Sequence, residues 1–502
     1  MPDLVLRSVL QPGDTTPSDL HITDGVITQI VPATPTDAPT LDGRTVIPGL
    51  WDEHVHMTQW ALAGARFDLS AAASAGEALE IVRAQAAANR PTPLIGVRFR
   101  DAIWADAPTL RGLDEATQGH PTALISHDLH CVWLNSAAAA RFSVDVDASG
   151  LLREQAAFDL TIALGQLPDS EVDALAAQAA DRAAARGVVG IVDFEMTWNR
   201  SVWQRRIAAG FDALRVDASI YLTDLDRALA ERMRTGQPIA DTRGLLTVGP
   251  LKLLIDGSLN TRTAFCVDEY PVGGHGVLVV SEDELTEILL RAREAGLLPA
   301  VHAIGDAANT VALNAFERAA AANAGRNAAR LSVSERTVPA GRIEHAQFLQ
   351  SADFARFARL GVTASVQPEH ALDDRDAVEI NWPAGADRVF ALRSLLDAGA
   401  TLAFGSDAPV APLDPFTAMS AAASRARSDA RAPWRPDQVL SRGEALAASA
   451  RGRSRLRVGD VADIAVLDGD PLTVCDATFE RMPVAATLLA GRPTHGHALL
   501  AG

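Results

Sequence analysis

Val46-Ile47-Pro48-Gly49-Leu50-Trp51-Asp52-Glu53-His54-Val55-His56 is an apolar run that ends in two histidines two residues apart. In an extended strand, side chains at i and i+2 share a face, so the imidazoles of His54 and His56 can reach one metal ion. Alone, a His-x-His pair fits packing or surface histidines equally well. Far downstream, His302, His345 and Asp407 each stand at the end of an apolar run of their own. Together the five make the ligand set of a hydrolytic metal site. His345 follows Ile343-Glu344 inside its run, and a buried histidine needs a bonding partner whatever its role. For Asp407 the competing role is a helix cap ahead of Ala408-Pro409.

Around these residues one grammar recurs: a helix, a glycine, then a strand ending in a polar residue. Ser281-Glu282-Asp283-Glu284 reads as a capping box opening a helix that Gly296 stops, and the strand 297–301 leads to His302. Helix 351–360, Gly361 and strand 362–366 lead to Gln367-Pro368. Helix 389–398, Gly399 and strand 401–404 lead to Asp407, and helix 170–186, Gly187 and strand 188–192 lead to Asp193 and Glu195. Counting back from Asp407 gives eight candidate strands: 401–406, 362–367, 341–345, 298–302, 250–255, 215–222, 188–194 and 45–56. Alternating helices and near-continuous apolar strands predict an α/β fold with a parallel sheet. Polar residues at the carboxyl ends of eight strands predict a (β/α)8 TIM-like barrel. A doubly wound open sheet is the competing fold, and it would scatter these residues along a crevice.

Two regions fall outside the barrel. Both termini carry short β-type runs, with a hairpin signal at Asp24-Gly25, and are expected to pair into a small β-sandwich domain of residues 1–47 and 456–502. Within the 48–455 barrel domain, about 65–165 is too long for a βα loop and reads as an inserted subdomain at the barrel mouth, with strands at 94–99 and 123–125.

At 502 residues, 48% hydrophobic, the chain can bury a large core. No run long and apolar enough for a transmembrane helix is present, and the start does not read as a signal peptide. The net charge of −18 argues against nucleic acid as a partner and is read as solubility. The basic segments 425–435 and 451–457 are expected to be solvated surface. Cys131, Cys266 and Cys475 show no metal-type spacing and fit a reducing cytoplasm. The expected partner is a small-molecule substrate, with no membrane role; a homo-oligomer is compatible with the chain, and subunit number is not legible.

Lys252 lies inside the apolar run Gly249-Pro250-Leu251-Lys252-Leu253-Leu254-Ile255-Asp256. An unmodified lysine is a poor ligand at neutral pH. Reaction with carbon dioxide would give an anionic carbamate able to bridge two metals. The residues themselves leave open a second reading, a buried lysine paired with Asp256 or Glu195. Trp60, Phe67, Trp104, Trp133, Trp198 and Trp382 likewise either line an apolar substrate pocket or fill cores.

The ordered motifs 48–56, Lys252 with Asp256-Gly257-Ser258 and Thr263-Ala264, and His302-Ala303-Ile304-Gly305-Asp306 resemble the amidohydrolase superfamily. So do Glu344-His345, Gln367-Pro368, 405–409 and the tail 458–468. The resemblance spans nearly the whole chain and is nearest to the N-substituted formamide deformylase branch. It departs from the family at 444–455, where members often carry a threonine-containing helix. The resemblance implies a distorted barrel with a sandwich built from both termini. It implies one or two divalent metals, zinc being the expected ion: His54, His56 and Asp407 on one, His302 and His345 on the other, and a carboxylated Lys252 between them. It also marks His130, in Asp128-Leu129-His130, as a substrate or oxyanion contact, the alternative being a structural hydrogen bond. Trp133 and Asp256 are expected to touch substrate. The implied reaction is hydrolysis of an amide-type C–N bond by metal-activated water, with Asp407 as the general base. A deaminase using one metal, an ester or lactone hydrolase on the same site, and a metal-stabilised binding protein are the alternatives.

Overall fold

The computed structural model describes residues 4–88, 93–99, 101, 104–126, 131–153, 155–259, 262–327, 339–427 and 431–500. Eight parallel strands form one sheet in sequence order: β1 (Leu50–Val55), β2 (Val188–Asp193), β3 (Arg215–Tyr221), β4 (Leu246–Leu254), β5 (Pro299–Ala303), β6 (Gly341–His345), β7 (Val362–Val366) and β8 (Leu402–Phe404). β8 is only three residues long, and the chain just beyond it completes the ring. The Asp407 N–H donates to His54 O at 2.7 Å and the His56 N–H to Ala408 O at 2.9 Å. Gly405 is required there, because a Cβ would lie 2.5 Å from His54 N. The first and last strands are thus stitched together at the candidate ligands themselves. Val192, Phe194 and Ala300 pack together in the interior, as in a filled barrel.

The helices follow the local signals. Ser281 accepts from the Glu284 N–H at the start of Glu282–Ala295, and Gly296 (φ 79°) ends that helix in the left-handed conformation. Ser441 and Glu444 form a complete capping box on Arg442–Ser449, the stretch where the sequence departs from the resemblance.

The run 45–56, read as one strand, is two. Thr45–Pro48 pairs antiparallel with Ile464–Leu467, whereas β1 pairs parallel with β2. Thr45–Pro48 belongs to a four-stranded sheet with Ile464–Leu467, Val484–Leu489 and Arg492–His495. Leu4–Val9, Ser18–Thr23 and Val26–Pro32 make a three-stranded antiparallel sheet. Leu6, Leu20 and Ile27 from this sheet share one core with Val46, Ile464 and Leu488 from the other. The α/β barrel with a sandwich from both termini is therefore the observed fold. Thr58–Ala179 is a separate compact unit with its own five-stranded sheet, which includes Leu94–Phe99 and Thr122–Ser126.

One basic residue expected on the surface is not there. Arg425 is fully buried and donates to Trp434 O and Phe390 O. Those buried carbonyls offset part of the cost of taking a guanidinium out of water. Arg451 keeps to the surface as expected, its side chain 36% exposed, while it lies over the Trp51 ring and pairs with Glu53 and Asp217, both at 2.6 Å.

Gly49 is the point at which the chain leaves one sheet for the other. Its N–H donates to Asp463 O at 2.8 Å, and a Cβ on it would meet Val189 Cγ1 at 2.4 Å. Gly49→Ala is expected to lower the unfolding free energy in urea by about 1–3 kcal/mol through overpacking. An unchanged unfolding midpoint would contradict this account of the junction.

Candidate metal centre

His54 and His56 emerge from the end of β1 on one face. Their Nε2 atoms lie 3.4 and 3.3 Å from the same atom, Asp407 Oδ1. Two donors bound at zinc-like lengths of about 2.0–2.1 Å with tetrahedral angles stand roughly 3.3–3.4 Å apart. Each imidazole donor therefore already stands at ligand spacing from the carboxylate oxygen, and the three residues form one group able to hold a metal ion.

Two of the candidate ligands owe their placement to an unusual backbone. His345 has φ 72° and Asp407 φ 56°. Left-handed backbone at a non-glycine residue costs about 1–3 kcal/mol and persists where the surroundings impose it. In a regular strand His345 would point away from the side of Glu344. The turn at its own Cα instead sets its ring 5.1 Å from that of His54 and 4.5 Å from that of His302.

The protonation states suit metal binding. Burial pushes His54 down to about 4, His302 down to about 3 and His345 well below the usual imidazole range. All three are neutral at pH 7, the form that ligates. Burial also lowers His56, but the Asp407 carboxylate beside it outweighs this and raises it. Burial raises the Asp407 carboxyl, yet the facing imidazoles of His54, His56, His345 and His370 hold it well below the usual carboxylate range. Lys252 is pushed down to about 8 by burial. Its Nζ has no hydrogen-bond partner among the described residues and sits 4.4 Å from the centre of the Phe194 ring. Asp256 does not hold it: that carboxylate accepts from the N–H groups of Phe265, Ile304 and Gly305.

Below the ligands runs a chain of charge, buried except at Arg451, its outer end. His54 Nδ1 meets Glu344 Oε2 at 2.7 Å, and Glu344 Oε1 accepts from Arg342 Nε at 2.5 Å. Arg342 Nη1 donates to Glu53 Oε2 at 2.7 Å, and Arg451 Nε to Glu53 Oε1 at 2.6 Å. Ser365 donates its hydroxyl to Glu344 and accepts from Arg342. A carboxylate on Nδ1 fixes the His54 tautomer and leaves Nε2 free to bind.

The structure thus brings His54, His56, His345 and Asp407 together, with Lys252 and His302 beside them. His302 Nε2 lies 3.3 Å from Gly257 O and 3.6 Å from Asp256 Oδ1. Asp256, expected to touch substrate, is spent on backbone N–H groups and ties the β4 and β5 ends together. Trp133 is wholly buried in the core of the Thr58–Ala179 unit with Phe99 and Trp104, and its indole donates to Thr109 O. That is a packing position, and its face-forming neighbours leave no open ring surface for substrate. His130 lies outside the described residues. Sequence reasoning missed His370, four residues past β7, and the roles of Glu53, Arg342 and Glu344. Alternation along β6, which puts 342 and 344 on one face, was a usable signal for the last two.

An amidohydrolase-family profile matches residues 40–495. The chain belongs to the amidohydrolase family. It is 28% identical over 470 residues to the protein LONG AFTER FAR-RED 3 of Arabidopsis thaliana, covering 85% of this chain and 78% of that one. It is 26% identical over 516 residues to N-substituted formamide deformylase of Arthrobacter pascens, covering 93% and 92%. An uncharacterized metal-dependent hydrolase from Pyrococcus furiosus shares the fold, with TM-score 0.72 and 24% identity over 94% of this chain and all of that one. As an amidohydrolase-family member the chain is a hydrolase, and its fold is that of metal-dependent hydrolases.

Glu344→Gln removes the negative charge from His54 Nδ1. It is expected to weaken metal binding about 10–100-fold in chelator competition, as loss of an outer-shell partner does. Wild-type affinity in that variant would show that the charge chain does not support the site.

Proposed function

We propose that this amidohydrolase cleaves an amide-type C–N bond of a small molecule with water activated by a divalent metal, zinc being the ion that best suits the donors. The observation that carries the reading is the convergence of His54 Nε2 and His56 Nε2 on Asp407 Oδ1 at 3.4 and 3.3 Å. The relative named N-substituted formamide deformylase supports the choice of a non-peptide C–N bond.

A divalent cation held there lowers the pKa of a bound water toward about 7 and polarises a carbonyl. The residues of the chain do the rest. His54 and His56 hold the cation, and Glu344 keeps the His54 ring oriented. Asp407 takes the proton from the attacking water and returns it to the leaving nitrogen. His302 and His345 would hold a second cation. Lys252, with its amine unpartnered among the described residues and its pKa depressed, is set up for carboxylation: Nζ would bond to the carbon of carbon dioxide with loss of a proton, and the anionic carbamate would supply oxygen donors to the metal centre. His130 is kept as a substrate or oxyanion contact. The free cysteines support a reducing, cytoplasmic setting.

Two measurements test this. Metal analysis with intact mass under mild conditions is expected to give two metals per chain and an added carbon dioxide that Lys252→Ala lacks. Asp407→Asn is expected to keep the wild-type circular dichroism and lose about 10²–10⁴-fold in amide hydrolysis. Wild-type turnover in Asp407→Asn would remove its role as base.

A further inference from the structure

His370 has no part in the ligand set that the motifs suggested, yet it faces the site. Its backbone leaves β7 through Gln367-Pro368-Glu369 and opens a short helix, His370–Asp373. The surrounding acids are engaged elsewhere. Glu369 and Asp373 pair with Arg427, and Asp374 accepts from Gln347. This pins the turn with the His370 ring inward, 7% exposed. Its Nε2 is buried and has no hydrogen-bond partner among the described residues, and the same is true of His345 Nδ1. The two rings lie nearly parallel, 16° apart, with centroids at 6.2 Å.

A buried imidazole nitrogen without a partner costs about 1–3 kcal/mol. Two such nitrogens on neighbouring rings call for an occupant. His345, His370 and Asp407 offer ligand atoms that all lie within 4.8 Å of one another. We propose that His370 is a further ligand of the second divalent ion, the one that His302 and His345 would hold, joining them with Asp407 within reach beside the ion of His54, His56 and Asp407. The proposal rests on reading the site as a metal centre and extends it. Asp407 is the residue common to both groups, so its carboxylate stands between the two positions. Imidazoles with one carboxylate favour borderline transition ions such as zinc or cobalt over magnesium or calcium. His370 also lies farther along the chain past its strand than any other candidate ligand, so the second ion draws on a loop as well as on strand ends.

The test is a cobalt(II) titration of the metal-free, full-length protein, with visible absorption and elemental analysis counting equivalents. Wild type is expected to bind two. His370→Asn and His370→Gln are each expected to keep one and to weaken the other by more than about 100-fold, beyond the loss from an outer-shell partner. His345→Asn should weaken the same equivalent, and His56→Asn the other one. Two wild-type equivalents in a folded His370 variant would overturn the proposal, as would a wild-type protein with a single equivalent that depends on His56 and not on His370. A wild-type protein that binds no cobalt would instead overturn the metal-centre reading.

Discussion

The run of alternating charge from Arg451 at the surface through buried Glu53, Arg342 and Glu344 to His54 is the constraint on which the rest of the site depends. Its buried part holds one guanidinium between two carboxylates, each of which would be costly alone. Truncating one partner of such a buried pair strands the other at about 3–5 kcal/mol. The chain therefore acts as a unit. Its lower end rests on Trp51 and Asp217, and its upper end presses a carboxylate against His54 Nδ1. Charge placed there does two things at once: it satisfies the barrel interior and it aims the first candidate ligand.

Barrel closure and ligand placement are the same event. The hydrogen bonds that join the two ends of the sheet run through the backbones of His54, His56, Asp407 and Ala408. Asp52 adds a second tie, its carboxylate accepting from the N–H groups of both His54 and Ser406 at 3.0 Å. The ring cannot close in another register without pulling Asp407 Oδ1 away from the two imidazoles. The left-handed backbones at His345 and Asp407 are the local cost of this arrangement, and the closed sheet is what holds them.

Much of this was legible in the sequence because barrels repeat one local grammar. Glycine stops and apolar strands located all eight barrel strands, and the polar strand ends pointed to His54, His56, His302, His345 and Asp407. What failed to show depended on partners distant along the chain. Arg342 and Glu53 are 289 residues apart, and nothing near either one names the other. Arg451 was rightly placed at the surface, but its pairing with Glu53 and Asp217 did not show, because sequence reports a charge and not what neutralises it. Trp133 was expected to touch substrate, but its ring completes the core of its own unit. The break at Gly49 was hidden because both halves of 45–56 are apolar, and only the change of partner divides them. His370 lies beyond a proline turn, past the point where strand periodicity can place a side chain.

The central claim is that a cation sits where His54, His56 and Asp407 converge. Anomalous diffraction at the metal absorption edge, on crystals of the active protein, tests it most directly. The account predicts a peak within bonding distance of His54 Nε2, His56 Nε2 and an Asp407 oxygen. An active, metal-containing protein whose anomalous peaks all lie away from these three atoms would contradict it.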